Sequence, residues 1–126
     1  MPTPIFVFGS NEAGIHGAGA AAFAVLHHGA ILGQGVGLQG SSYAIPTKDH
    51  QINTLPLPCI ASYVKGFRKF AEDRPDTIFH VTQIGCGLAG MSPKDIAPMF
   101  HDAPPNCQFS SAWEHWLPGR VYWTDK

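Results

Sequence analysis

The sequence predicts an α/β protein, a central mixed sheet flanked by helices, and three observations predict it. The continuous apolar run "IFVF", Ile5 to Phe8, has the composition of a strand buried on both faces in the middle of a sheet. A second strand signal, "TIFHVTQ", follows much later, and each of the two leads into a glycine-rich loop and then a helical segment, so strand, loop and helix recur in one order. The chain has 126 residues, enough for one core and too few for separate cofactor and substrate domains, so 1–126 reads as a single domain.

Each element has its own justification. The first strand is ended by Gly9, Ser10 and Asn11. After the loop "GIHGAG", the segment "AAAFAVLHHG" is rich in Ala, free of proline and closed by Gly29, with Ala18, Ala21, Ala22 and Val25 on one helical face. The glycines of "GQGVGLQGSSYAIPT" exclude a helix, but "SSYAI" suits a short strand that Pro46 interrupts. From Pro58 onward, Ile60, Val64, Phe67 and Ala71 recur at helical spacing while Lys65, Arg68, Lys69 and Glu72 lie elsewhere around the wheel. After "TIFHVTQIG", Ser92 supplies an N-cap, Pro93 the first helical position and Asp95 an acid in the first turn. The remainder holds an expected edge strand at Cys107 to Phe109 and another at Val121 to Trp123, with the three tryptophans covering the core.

Composition bounds the function. The net charge is −1 and the eight Lys and Arg are scattered, with only Arg68 and Lys69 adjacent, which disfavours a nucleic-acid partner and leaves a small anionic ligand open. Three cysteines, odd in number and without a C-x-x-C pair, fit reduced thiols and a cytoplasmic location. The N-terminus lacks a charged n-region and a long h-region, and nowhere do about 18 apolar residues run together, so no membrane association is expected. His27 and His28 are adjacent on a helix and point apart, and no ligand-spaced Cys/His cluster appears, so neither a metal nor a cofactor is expected.

The spacing G-x-G-x-x-G occurs twice, at Gly35, Gly37, Gly40 and at Gly85, Gly87, Gly90. The first match runs into a strand, and about 20 positions beyond the second, where a ribose-binding acid belongs in a dinucleotide fold, stands Ser110. The G-x-x-x-x-G-K-[ST] pattern is absent and no glycine loop contains a Lys or Arg, which excludes nucleoside triphosphate hydrolysis. What survives is neutral anion binding, in which loop amides and the positive end of the following helix converge on a phosphate. Two such loops leaving neighbouring strands would line one crevice and suit a pyrophosphate. Any one loop is equally well read as a plain turn; three together argue against turning alone.

The order of these motifs resembles the macro domain, the module that binds ADP-ribose: "FVFGSN" resembles the strand ending in the family's asparagine, "GIHGAGAAAFA" the first glycine loop and helix, and "VTQIGCGLAG" the phosphate-holding loop. "FGSNEAGIHGAGAA", "GQGVGLQGSSYAIPTK" and "IGCGLAG" are similar to small macro-domain-like proteins of bacteriophages and bacteria, over residues 4 to 100. The resemblance implies a three-layer fold, with Asn11 contacting the ribose beside the diphosphate, the loop from Gly14 to Gly19 wrapping that ribose and Gly85 to Gly90 holding the diphosphate. The candidate ligand-binding set is therefore Gly9, Ser10, Asn11, Gly14, Gly17, Ala18, Gly19, Gly40, Ser41, Gly85, Cys86, Gly87, Leu88, Ala89 and Gly90. The family's adenine-reading Asp lies on a strand before the asparagine strand, and only Met1 to Pro4 precede "IFVF" here; the C-terminal aromatics are the alternative stacking surface.

Hydrolysis of an ADP-ribosyl linkage would need Asn11 to orient the ribose and a titratable group near it, for which His16 and Asp49 are the candidates. Lys48 is either a phosphate contact or a surface charge, and Cys86 either a thiol activated by loop amides or a small residue that a crowded loop tolerates. The expected function is binding of ADP-ribose or a related NAD-derived nucleotide diphosphate, by a monomer or small homo-oligomer, with or without hydrolysis. The alternatives are a module that sequesters such a nucleotide signal, as a phage protein facing a host defence would, and an interaction protein using Trp113, Trp116 and Trp123 as its partner surface.

Overall fold

In the computed structural model, which describes residues 3–124, the chain forms a mixed six-stranded sheet with three α-helices. The elements are β1 (Ile5–Asn11), α1 (Gly19–His27), β2 (Gly37–Gln39), β3 (Ser42–Lys48), α2 (Leu57–Glu72), β4 (Phe79–Val81), α3 (Pro93–Ile96), β5 (Cys107–Ser110) and β6 (Tyr122–Trp123). The strand order is β2-β3-β1-β4-β5-β6, parallel throughout except for the β2–β3 hairpin. No helix is long and apolar enough to cross a membrane among the described residues.

The period of two in β1 divides the interior between the faces of the sheet. Val7 joins Ile45, Val81 and Phe109 in the larger cluster, against Ile60, Val64, Phe67 and Ala71 of α2. Phe6 and Phe8 point the other way, toward Ala21 and Ala24 of α1. Helices therefore cover both faces, and β1 is buried between them as its apolar run predicts. The buried stripe of α2 is the one its spacing predicts; that of α1 is turned, with Ala24 fully buried and Ala22 only half-buried.

Several expectations are corrected. Pro46 does not interrupt β3, which continues to Lys48. Pairing with β2 ends at Ala44, so Pro46, two residues further and facing the same side, lacks an N–H only where no ladder bond is needed. The strand from Cys107 is internal, because β6 pairs with it at Phe109 and Ser110 and takes the edge. Ser92 does cap α3, its hydroxyl accepting from the Lys94 amide at 3.4 Å, but the helix lasts one turn. Pro98 cannot donate back to Lys94, and the chain tightens into a 3-10 turn over Ala97–Phe100. Trp113 is fully buried, and Trp123 stacks on His80 and donates its indole N–H to the Val81 carbonyl at 3.0 Å, so the tail's tryptophans are structural.

Topology decides where a ligand can sit. From β1 the chain proceeds toward β3 on one side, and from β4 toward β5 on the other. The carboxyl ends of β1 and β4 thus flank a switch point, the place at which open parallel sheets form a crevice.

Candidate functional site

A cleft of about 440 Å³ opens at that switch point. Its floor is the end of β1 (Gly9, Ser10, Asn11) with Thr47 of β3 and Thr82 beyond β4; Gly17 to Ala21 form one wall and Gly85, Gly87, Leu88 and Ala89 the other. Both glycine loops thus face a single cavity, within the size range of ordinary ligand sites.

The backbone amides of these walls lack partners among the described residues. In the first loop the amides of Gly17, Ala18, Gly19, Ala20 and Ala21 donate to no acceptor among the described residues, and the first helical bond is Ala22 N–H to the Ala18 carbonyl at 3.2 Å. The N-cap is Ala18, which offers no side-chain cap. The uncapped helix start, exposed from Gly17 to Ala20, leaves polar groups that water or an incoming acceptor can satisfy. In the second loop, Cys86, Gly90 and Met91 donate internally, to Gln83, Gly87 and Gly85 at 3.1, 3.0 and 2.8 Å, whereas the amides of Gly85, Gly87, Leu88 and Ala89 do not. Because α3 is a single turn capped by Ser92, the second loop presents amides without a helix dipole behind them. The lining contains one cationic side chain, Lys48, and no carboxylate, so its electrostatics favour an anion.

Asn11 lies at the centre of the floor, 7 % exposed. Its Nδ2 donates to the Ile15 carbonyl at 2.7 Å and its Oδ1 accepts from the Ile15 amide at 2.9 Å, so the side chain first shapes the loop and keeps one Nδ2 proton for a ligand. Ser10 also lines the cleft, although its hydroxyl is given to the Gly35 carbonyl.

Other candidate residues stand elsewhere. Gly14 lies behind the wall with φ +73°, and a Cβ there would come within 2.4 Å of the backbone at Gly33 and Gln34. It serves the packing of two loops. Gly40 and Ser41 turn the β2–β3 hairpin at the opposite end of the sheet, where Gly40 adopts φ +60° against Gly29 and the Ser41 amide donates to His28. The G-x-G-x-x-G match at Gly35 to Gly40 is thus a hairpin signal, as its run into a strand suggests. Gly90 closes the second loop's own turn and is absent from the lining.

His16 is 3 % exposed, packs edge-on against Phe8, and its Nε2 is 3.0 Å from the Gln34 carbonyl. Asp49 caps a turn, its Oδ1 accepting from the amides of Gln51 and Asn53 at 2.9 and 3.0 Å. Neither lines the cleft. That turn carries Ile52 into the lining at φ +66°, a backbone region costly for a β-branched residue. Burial pushes the Cys86 thiol up, away from the activated thiolate that one reading of the loop required. Among the described residues no group of three His, Cys, Asp or Glu stands together to hold a metal.

Sequence reasoning missed Ala20, Ala21, Thr47, Ile52, Thr82, Gln83 and Ile84, which line the cleft, and named Ile15 only as part of the loop from Gly14 to Gly19. Thr82 and Gln83 were legible as the residues where the second strand meets its loop; Ile52 was not, because only the turn set by Asp49 brings it there. Comparison of the chain with protein-family models, with curated proteins and with solved structures finds no match.

Proposed function

We propose that the cleft binds ADP-ribose or a closely related NAD-derived nucleoside diphosphate, and that the chain is a macro-domain-like three-layer protein, as its loop sequences suggest. The observation that carries this reading is the pair of amide sets without partners among the described residues, one on each wall of a cavity whose lining holds no carboxylate. A diphosphate has enough acceptor oxygens to satisfy both walls at once, and charge-assisted bonds of this kind are about twice as strong as neutral ones. The start of α1 adds about 0.3–1 kcal/mol for an anion placed against it. Lys48 supplies the countercharge and Asn11 the group nearest the ribose.

Binding without turnover is the better-supported form. The His16 ring is engaged beneath the loop and the Asp49 carboxylate within its own turn, so neither candidate stands in the cleft as a general base, and no other His, Asp or Glu among the described residues lines it. A module of this kind retains its nucleotide and does not consume it. Calorimetric titration with ADP-ribose, followed by chromatography of the recovered nucleotide, is expected to give heat and an unchanged compound. Heat with a new product would assign a hydrolase, and absence of heat would refute the diphosphate reading.

A further inference from the structure

A second, apolar lobe of about 410 Å³ adjoins the amide-lined cleft and shares Gly19, Ala20, Thr82, Gln83 and Gly87 with it. Its own residues are Cys86 of the second loop with Phe6, on β1, and Phe23, on α1, and the two rings pack at 5.5 Å. Phe23 is 41 % exposed although its ring packs on Phe6, so one face of an aromatic ring is open to the lobe. The exposure has a structural origin: among the described residues α1 is the one α-helix packed on this face, and beside it β4 and β5 carry the His80–Trp123 stack and Gln108.

We propose that this lobe seats the nucleobase of the bound ligand, so that the site selects a nucleoside diphosphate over an inorganic diphosphate. The inference rests on the diphosphate reading of the neighbouring cleft. Phe23 lies four residues beyond Gly19, one turn or about 6 Å along the helix. A phosphate on the amides at the start of α1 therefore stands one ribose away from a base lying against the Phe23 ring. Gln83 lines both lobes, is exposed, and its carboxamide has no hydrogen-bond partner among the described residues. A carboxamide presents a donor and an acceptor side by side, the pattern that a base edge complements. The aromatic surface for the base thus comes from α1, whereas Trp113 is buried and Trp116 and Trp123 pack against the two clusters.

The test is calorimetry on the wild type, Phe23→Ala and Phe23→Trp, with ADP-ribose and inorganic pyrophosphate as probes. Phe23→Ala is expected to weaken ADP-ribose by about tenfold or more, as loss of base–aromatic stacking does. Phe23→Trp restores the affinity, and pyrophosphate binds all three proteins alike. Equal affinity of ADP-ribose for the wild type and Phe23→Ala would overturn the base lobe while leaving the diphosphate site standing. Equal weakening of both probes would overturn it too, because the damage would then lie in the shared cleft. Failure of both probes to bind the wild type would remove the diphosphate reading and this inference with it.

Discussion

Asn11 carries two tasks in one side chain. The carboxamide closes a ring with the backbone of Ile15, and only what remains of its hydrogen-bonding capacity faces the cleft. Asn11→Ala removes both bonds, and with net values near 1 kcal/mol each, partly recovered by water at exposed Ile15, the loss of stability is about 1–2 kcal/mol. Denaturant unfolding measures it; an unchanged midpoint would mean that the loop holds its shape without Asn11. An asparagine at a strand end was legible as either a ligand contact or a turn residue, and the two readings prove compatible. His16 was not legible in this way. A loop histidine looks available in sequence, and only the approach of Gln34, eighteen positions away, shows where its ring is engaged.

Among the elements, the helices differ in how completely sequence specified them. The period of α2 fixes its buried face because Ile60, Val64, Phe67 and Ala71 share one side of the helix while Lys65, Arg68, Lys69 and Glu72 lie elsewhere around it. In α1 nearly every residue is apolar, so the pattern marks a helix without marking its orientation, and packing of Phe8 against Ala21 and Ala24 decides. Around α1 two histidines replace a second helix as cover: His28 stacks on Phe6 at 4.5 Å, and His80 stacks on Trp123 at 4.7 Å while its Nε2 meets Gln108 at 3.2 Å. Burial is the main cause that lowers both pKa values below 6.5, with the charge of His27 and then His80 adding to the effect at His28. The unfolded chain therefore takes up protons first as the pH falls. The stability these groups contribute is full above pH 6.5 and is lost as pH drops through their depressed folded-state values. Melting curves at pH 7.5 and 5 are expected to show a fall that His80→Gln makes smaller. An identical fall in the variant would exclude His80 as a source.

At the scale of the whole molecule, the two strand–loop–helix units acquire meaning from the order of the strands. Sequence showed that both units exist and that their glycines lack the partners of a dinucleotide site or a P-loop. It did not show that β1 and β4 are neighbours, because adjacency in a sheet is set by crossovers over α2 and not by any local signal. Nor did it separate the glycines of the cleft from those at Gly35 to Gly40, since identical spacing serves a hairpin at one end of the sheet and an anion cradle at the other. The central claim is that amides from both walls bind one diphosphate together. Titrating ADP-ribose into 15N-labelled protein while following backbone amide resonances tests it directly. The account predicts that Gly17, Gly19, Gly85 and Gly87 shift in concert, with one affinity, while Gly37 and Gly40 stay still. Shifts confined to one loop, or centred on the hairpin, would contradict it.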